Sequence, residues 1–141
     1  MSAPLYTLDI LRLAAATAEA PRLAAPDATA ERRSVTCGSR LIVDLTIDDH
    51  GRVSAHGHDV HACALGQAAA TLVARHAVGR SGAELELASR EVARWLADPD
   101  APSPDWPGIE VLERARSYPA RHSAIRLAFE AAADAVGKVA A

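Results

Sequence analysis

Residues 35–67 read VTCGSRLIVDLTIDDHGRVSAHGHDVHACALGQ. Both cysteines of the chain, Cys37 and Cys63, lie in this stretch. Between them Leu41, Val43, Leu45 and Ile47 alternate with Asp44, Thr46 and Asp48, with Ile42 out of pattern. Side chains two apart share a strand face, so this reads as a half-buried antiparallel strand. Asp49-His50-Gly51 supplies the turn, because glycine accepts the positive φ a tight hairpin needs. A return strand over about 52–61 follows, with Arg52, Ser54, His56 and His58 on its polar side and Val53, Ala55 and Gly57 on the other. Gly57 and Asp59 suggest a bulge. A hairpin with a cysteine at each end can bring the two thiols together.

Outward from the hairpin the chain reads mostly as helix. Residues 4–16 form an amphipathic helix with Leu5, Leu8, Leu11 and Ala15 on one face and Ile10 and Leu13 beside it. Pro21, Pro26 and Asp27 mark a loop, and residues 32–37 are expected to form a first short strand. Helices are expected over about 63–78, 81–96 and 120–137, and a short one along Ile109, Leu112 and Ala115. Cys63 falls in the first turn of the first of these. Ser81 and Glu84 make a capping box for the second. Asp105 is the expected N-cap of the short helix. Ala124, Leu127, Ala128, Ala131 and Ala135 line the last helix, with Arg126 and Glu130 as an exposed i,i+4 pair. Strands that cluster instead of alternating with helices predict an α+β fold: a small antiparallel three-stranded sheet packed on one side by about five helices.

At 141 residues the chain fits one domain, 1–141, large enough to bury a core. Half the residues are hydrophobic but only 4% are aromatic, so helices meeting through small residues are expected. The net charge of −3 and the absence of a basic stripe argue against nucleic acid as a partner. No run of about 18 apolar residues predicts a membrane span. The first residues lack a basic segment followed by an apolar one, which predicts no signal peptide and a cytoplasmic location. Two cysteines then read as intracellular thiols.

Backbone N–H groups at a helix start favour a thiolate, so Cys63 is suited to a soft metal. Both cysteines read equally well as small buried hydrophobes. His56 and His58 share a strand face and can approach one ligand, but solvated surface histidines are the simpler expectation. His61, next to Cys63, is an auxiliary ligand candidate. His50 is expected to be exposed, and His76 has no obvious partner. At the start of the last helix Ser123 can cap the helix or bind an anion, and His122 can act as a ligand or acid–base group; a helix end decorated with polar residues is the plain alternative. Asp44, Asp48 and Asp49 read as solvated hairpin carboxylates. No nucleophile elbow, phosphate loop or dinucleotide fingerprint is present.

Cys37-Gly38 before an alternating strand, a short Asp/Gly turn, Cys63 opening a helix, and Pro119-Ala-Arg121 leading to Leu127-Ala128-Phe129 together resemble the IscU/NifU-type iron–sulfur cluster assembly scaffolds, including the SufU-like branch. The resemblance spans nearly the whole chain. It implies a protein without its own catalytic turnover that receives sulfur from a cysteine desulfurase, binds iron or zinc, assembles a [2Fe–2S] cluster and passes it to client proteins. It also implies a site of three cysteines and an aspartate. This chain departs at two of those four positions. Ser39 stands where the aspartate is expected. The third cysteine falls at Ala124 when counted back from Leu127-Ala128, or at Ser123 when aligned on His122.

Cys37 and Cys63 are therefore the expected cofactor and metal ligands, with Ser39, His61, His122 and Ser123 as candidates to complete the set. Three functions follow from this: a scaffold handling iron, a [2Fe–2S] cluster or persulfide sulfur; a degenerate relative that keeps the fold as an interaction module; and a zinc protein using His61 or His122.

Overall fold

The computed structural model describes residues 5–34 and 38–139. In chain order they form helix α1 (Leu8–Ala15), strands β1 (Ala28–Arg33), β2 (Arg40–Ile47) and β3 (Val53–His61), and helices α2 (Ala64–His76) and α3 (Gly82–Ala97). A 3-10 helix (Ile109–Ser117) and helix α4 (His122–Val139) follow. The sheet is antiparallel in the order β1-β2-β3. This is the α+β fold expected: among the described residues there are three strands, four α-helices and three 3-10 helices.

The register sets the faces. Leu41, Val43 and Leu45 of β2 pair with Val60, His58 and His56 of β3 and with Arg32, Ala30 and Ala28 of β1. Paired residues share a face, and α4 packs on β1 and β2 while α2 contacts β3. His56 and His58 therefore lie on the same sheet face as the aliphatic residues of β2, and both are buried. The expectation that they are solvated is overturned. The sheet bulge also lies elsewhere than Gly57: Thr46 pairs with Ala55 and Ile47 with Val53, so Ser54 is the extra residue.

The segment joining α1 to β1 acts as a strap. Thr17 O contacts the His58 ring at 2.8 Å, and the His58 amide donates to Ala20 O at 2.9 Å. Pro21 then crosses Gly57, where an added Cβ would come within 2.3 Å of the Pro21 oxygen. Gly57 pairs with Asp44, so the strap ends on the sheet face opposite the helices. There Asp44, 0% exposed, accepts from Arg22 at 2.8 and 3.0 Å, from the Leu23 amide at 3.0 Å and from the Thr29 hydroxyl at 2.6 Å. Asp44 is a structural anchor and not a solvated carboxylate. Burial opposes its ionisation, but Arg22, Thr29 and the Leu23 amide outweigh that and hold the carboxyl below the usual range.

Other sequence expectations are shifted. α1 begins at Leu8, with Thr7 accepting from the Ile10 amide. Ile10, Leu13 and Ala14 form its buried stripe, while Leu8 and Leu11 are 61% and 49% exposed; the packing face is rotated from the one expected. β1 ends at Arg33, earlier than the expected strand over 32–37, and residues 35–37 lie outside the described residues. Asp105 caps nothing: Gly108 precedes the 3-10 helix, with no side-chain cap. The capping box of Ser81 and Glu84 forms.

The core joins the sheet to α2, α3 and α4 through Leu65, Val73, Val92, Leu112 and Ile125, and small residues dominate the helix contacts. Trp95, Trp106 and Phe129 are the buried aromatics. His76 meets Trp106 edge to face.

Candidate functional site

Three segments converge at the end of the sheet where β2 begins and β3 ends. Arg40 pairs with His61, so the residues before β2 lie beside those leading into α2. Cys63 is the N-cap of α2, in extended conformation with φ −67° and ψ 171°. It sits one residue earlier than the expected first-turn position. Its carbonyl accepts from the Gln67 amide at 2.9 Å. The amides of the first helical turn lack intrahelical acceptors, and no acidic residue stands among them, so the end of the helix presents positive potential to the thiol. Cys63 is half-buried, a free thiol, and packs at the margin of the core.

On the other side Ser34 and Ser39 close a loop. The Ser34 amide donates to Ser39 O at 2.8 Å, and the Gly38 amide donates to Ser34 O at 2.9 Å. Gly38 has φ +72°, a left-handed backbone suited to glycine. Ser39 is buried and hydrogen-bonded. Cys37, within this loop in sequence, lies outside the described residues.

The third segment is the first turn of α4, and here the structure separates the two candidate positions. Ala124 is 2% exposed and faces α2: a Cβ built on Gly66 would lie 3.6 Å from the Ala124 Cβ. Gly66 is three residues past Cys63. Ser123 turns the other way, and its hydroxyl meets the Ser34 hydroxyl at 3.0 Å. The residue beside the Cys63 end of α2 is thus Ala124, a methyl group.

The histidine candidates are engaged elsewhere. The His122 Nε2 lies 3.1 and 3.0 Å from the carbonyls of Ala115 and Arg116, so it serves as the donor that ties α4 to the 3-10 helix. His61 is exposed, with Nε2 3.3 Å from Asp59. Among the described residues no group of three or more His, Cys, Asp or Glu side chains is placed to hold a metal ion. The proposed zinc set finds no support in this placement. No helix among the described residues is long and apolar enough to cross a membrane.

Sequence reasoning missed Ser34, whose partner is 89 residues away, and no local pattern marks such a pair. It also missed that Arg126 and Glu130 form no ion pair among the described residues. Glu130 instead approaches Arg32 at 3.8 Å, and the Arg126 Nε is buried without a hydrogen-bond partner.

No family model matches the chain, and no curated protein matches it. Among solved structures it is similar to the N-terminal part of a nitrogen-fixing NifU-like protein from Brucella abortus. The two are 35% identical over 96% of this chain and 94% of the other, with a TM-score of 0.88. The chain belongs to the IscU/NifU/SufU-type family. A putative iron–sulfur cluster assembly scaffold protein for the SUF system from the thermophile Fervidobacterium islandicum AW-1 shares the fold at 14% identity. That match covers 94% of this chain and 96% of the other, with a TM-score of 0.79. The family and fold inferred from the cysteine-flanked hairpin are both borne out.

Proposed function

We propose that this family member handles iron and sulfur through Cys37 and Cys63, taking persulfide sulfur from a cysteine desulfurase, binding iron or a nascent [2Fe–2S] unit as cargo, and passing it to client proteins. The observation that carries the reading is the placement of Cys63 at the amide-rich start of α2, directly after the strand whose end pairs with Arg40. The thiol there is half-buried and free. Sulfur transfer balances without an added redox partner. The Cys63 thiolate attacks the outer sulfur of the donor persulfide, a new S–S bond forms to Cys63, the donor S–S bond breaks, and the donor cysteine leaves as a thiolate. The chemistry is assembly and transfer, not turnover on a substrate of its own.

Stable holding of a [2Fe–2S] cluster is a different demand. Such clusters take four protein ligands, and the position beside α2 offers the Ala124 methyl. We therefore assign a transient load held by two thiols, completed by ligands from outside the chain. The test is metal and sulfide analysis of anaerobically purified and reconstituted protein. Iron with labile sulfide that Cys63→Ala removes supports the reading. Protein that takes up neither iron nor persulfide sulfur overturns it.

One observation favours a second reading. The Ala124–Gly66 contact closes the α2–α4 junction with packing where a ligand would be needed, as in a module kept for partner binding alone. Capture of a desulfurase that survives loss of both cysteines separates that reading from the first. Zinc with no iron would point to the third.

A further inference from the structure

Where β1 ends against the first turns of α4, the surface opens into a cavity of about 250 Å³. Arg32, Arg33, Ser34, Ser123, Arg126 and Glu130 line it. Their hydrogen bonds leave donors in surplus. The Arg32 guanidinium is committed, with Nε at 2.5 Å and Nη2 at 3.1 Å from the Asp134 carboxylate, and Nη1 3.8 Å from Glu130. Arg33 has one partner, the exposed Glu31 on its own strand, a pairing that water largely screens. Arg126 is different, since its Nε is buried and has no acceptor. A buried guanidinium N–H without an acceptor is costly until one arrives.

The serines add to this. Two hydroxyls 3.0 Å apart share one proton in their mutual bond, which leaves the second hydroxyl proton free to donate. Among the described residues Glu130 is the one carboxylate in the lining, and it leans toward Arg32. The complement of an unpaired guanidinium, a free hydroxyl proton and a weakly paired arginine is a small, negatively charged group rich in acceptors. We propose that this cavity is a binding site for a small oxyanion of carboxylate or phosphate type, held by the Arg126 Nε and the Ser34–Ser123 pair with Arg33 supplying further charge. Bound there, the anion would rest beside Ser123, next to the position where Ala124 meets α2. The site is assembled from the end of β1, Ser34 and α4, and it needs neither metal nor cysteine. It goes beyond the iron and sulfur reading and stands or falls apart from it.

The experiment uses metal-free full-length protein at constant ionic strength. Inorganic phosphate and acetate are titrated separately, and the Arg126 Nε–H and the Ser34 and Ser123 amides are followed by NMR. Saturable shifts at these groups with either ion are expected; phosphate alone assigns the phosphate type, and acetate alone the carboxylate type. Arg126→Gln should weaken binding by about tenfold, the scale of one charge-assisted hydrogen bond, and Ser123→Ala less. Arg90→Gln, an exposed change on α3, should leave binding as it is. Arg126→Lys guards against misfolding as a trivial cause, because it keeps the charge and alkyl stem but displaces the donor; a folded variant with weakened binding is expected. The proposal is overturned if neither ion gives saturable shifts, or if Arg126→Gln and Arg126→Lys bind as the wild type does.

Discussion

Ala124 packs against Gly66: a methyl group built on Gly66 would stand 3.6 Å from the Ala124 Cβ and 3.3 Å from its carbonyl oxygen. The starts of α2 and α4 are thus joined through the smallest possible side chains, one turn from Cys63. A side chain at Gly66 would meet the Ala124 Cβ at van der Waals distance, but it would crowd the Ala62 Cβ at 2.7 Å. The junction sets the distance between Cys63 and the position where a third ligand would stand.

Gly66→Ala tests the packing around Gly66. Its new methyl would come 2.7 Å from the Ala62 Cβ, and neither atom can rotate away. Overpacking of this sort costs about 1–3 kcal/mol, offset by up to about 1 kcal/mol of helix propensity. A net loss of stability in urea unfolding is expected, and Ala62→Gly in the same chain should recover part of it. A Gly66→Ala protein as stable as the wild type would show that Ala62 does not crowd this position.

Ala124→Cys should convert the junction toward a ligand set. More iron and labile sulfide should remain after gel filtration of reconstituted protein than with the wild type. Adding Cys63→Ala should remove the gain. Ser123→Cys should give no such gain, because that side chain points to Ser34. Equal retention by Ala124→Cys and Ser123→Cys would contradict the orientation of α4.

Asp44→Ala should loosen the strap over β3. The Leu23 amide and the Thr29 hydroxyl lose their acceptor, and leaving such groups unpaired costs about 2–3 kcal/mol. Hydrogen exchange should rise at Leu23 first and spread to His58. Unchanged protection at Leu23 would refute the anchoring role.

Acid should destabilise the fold through His56. Burial, then the neighbouring His58, pushes its pKa down to about 3, and both of its ring nitrogens lack partners. The unfolded chain takes up this proton near pH 6.5, so the contribution is fully present above that and is lost as pH falls toward 3. His58 is depressed in the same direction, chiefly by burial. Between pH 7 and 4.5, His56 alone should remove about 2–3 kcal/mol. His56→Leu should flatten the dependence of urea-unfolding stability on pH over that range. An equally steep dependence in the variant would place the acid sensitivity elsewhere.

Much of the fold is legible in the alternation of residues 40–61 and in local helix signals. The pleat makes Leu41, Val43 and Leu45 share a face whatever surrounds them, and the Asp49-His50-Gly51 turn sets the pairing that follows. Ser81 and Glu84 meet because they are three residues apart on one helical turn. The two thiols could be assigned to the two ends of the β element for the same reason.

The sequence alone therefore determined the hairpin, the capping of α3, the family and the position of Cys63 at a strand-to-helix junction, all consequences of near-neighbour geometry. Only the tertiary structure decided which polar residues are buried. Asp44 looks solvated until the strap from Thr17 to Leu23 covers it, and His56 and His58 look exposed until the register places them under the helices. It also decided that Ala124, and not Ser123, stands beside the start of α2, and that Ser123 is tied to Ser34. These outcomes depend on the rotation of α4 about its axis and on contacts across most of the chain, which no local periodicity encodes.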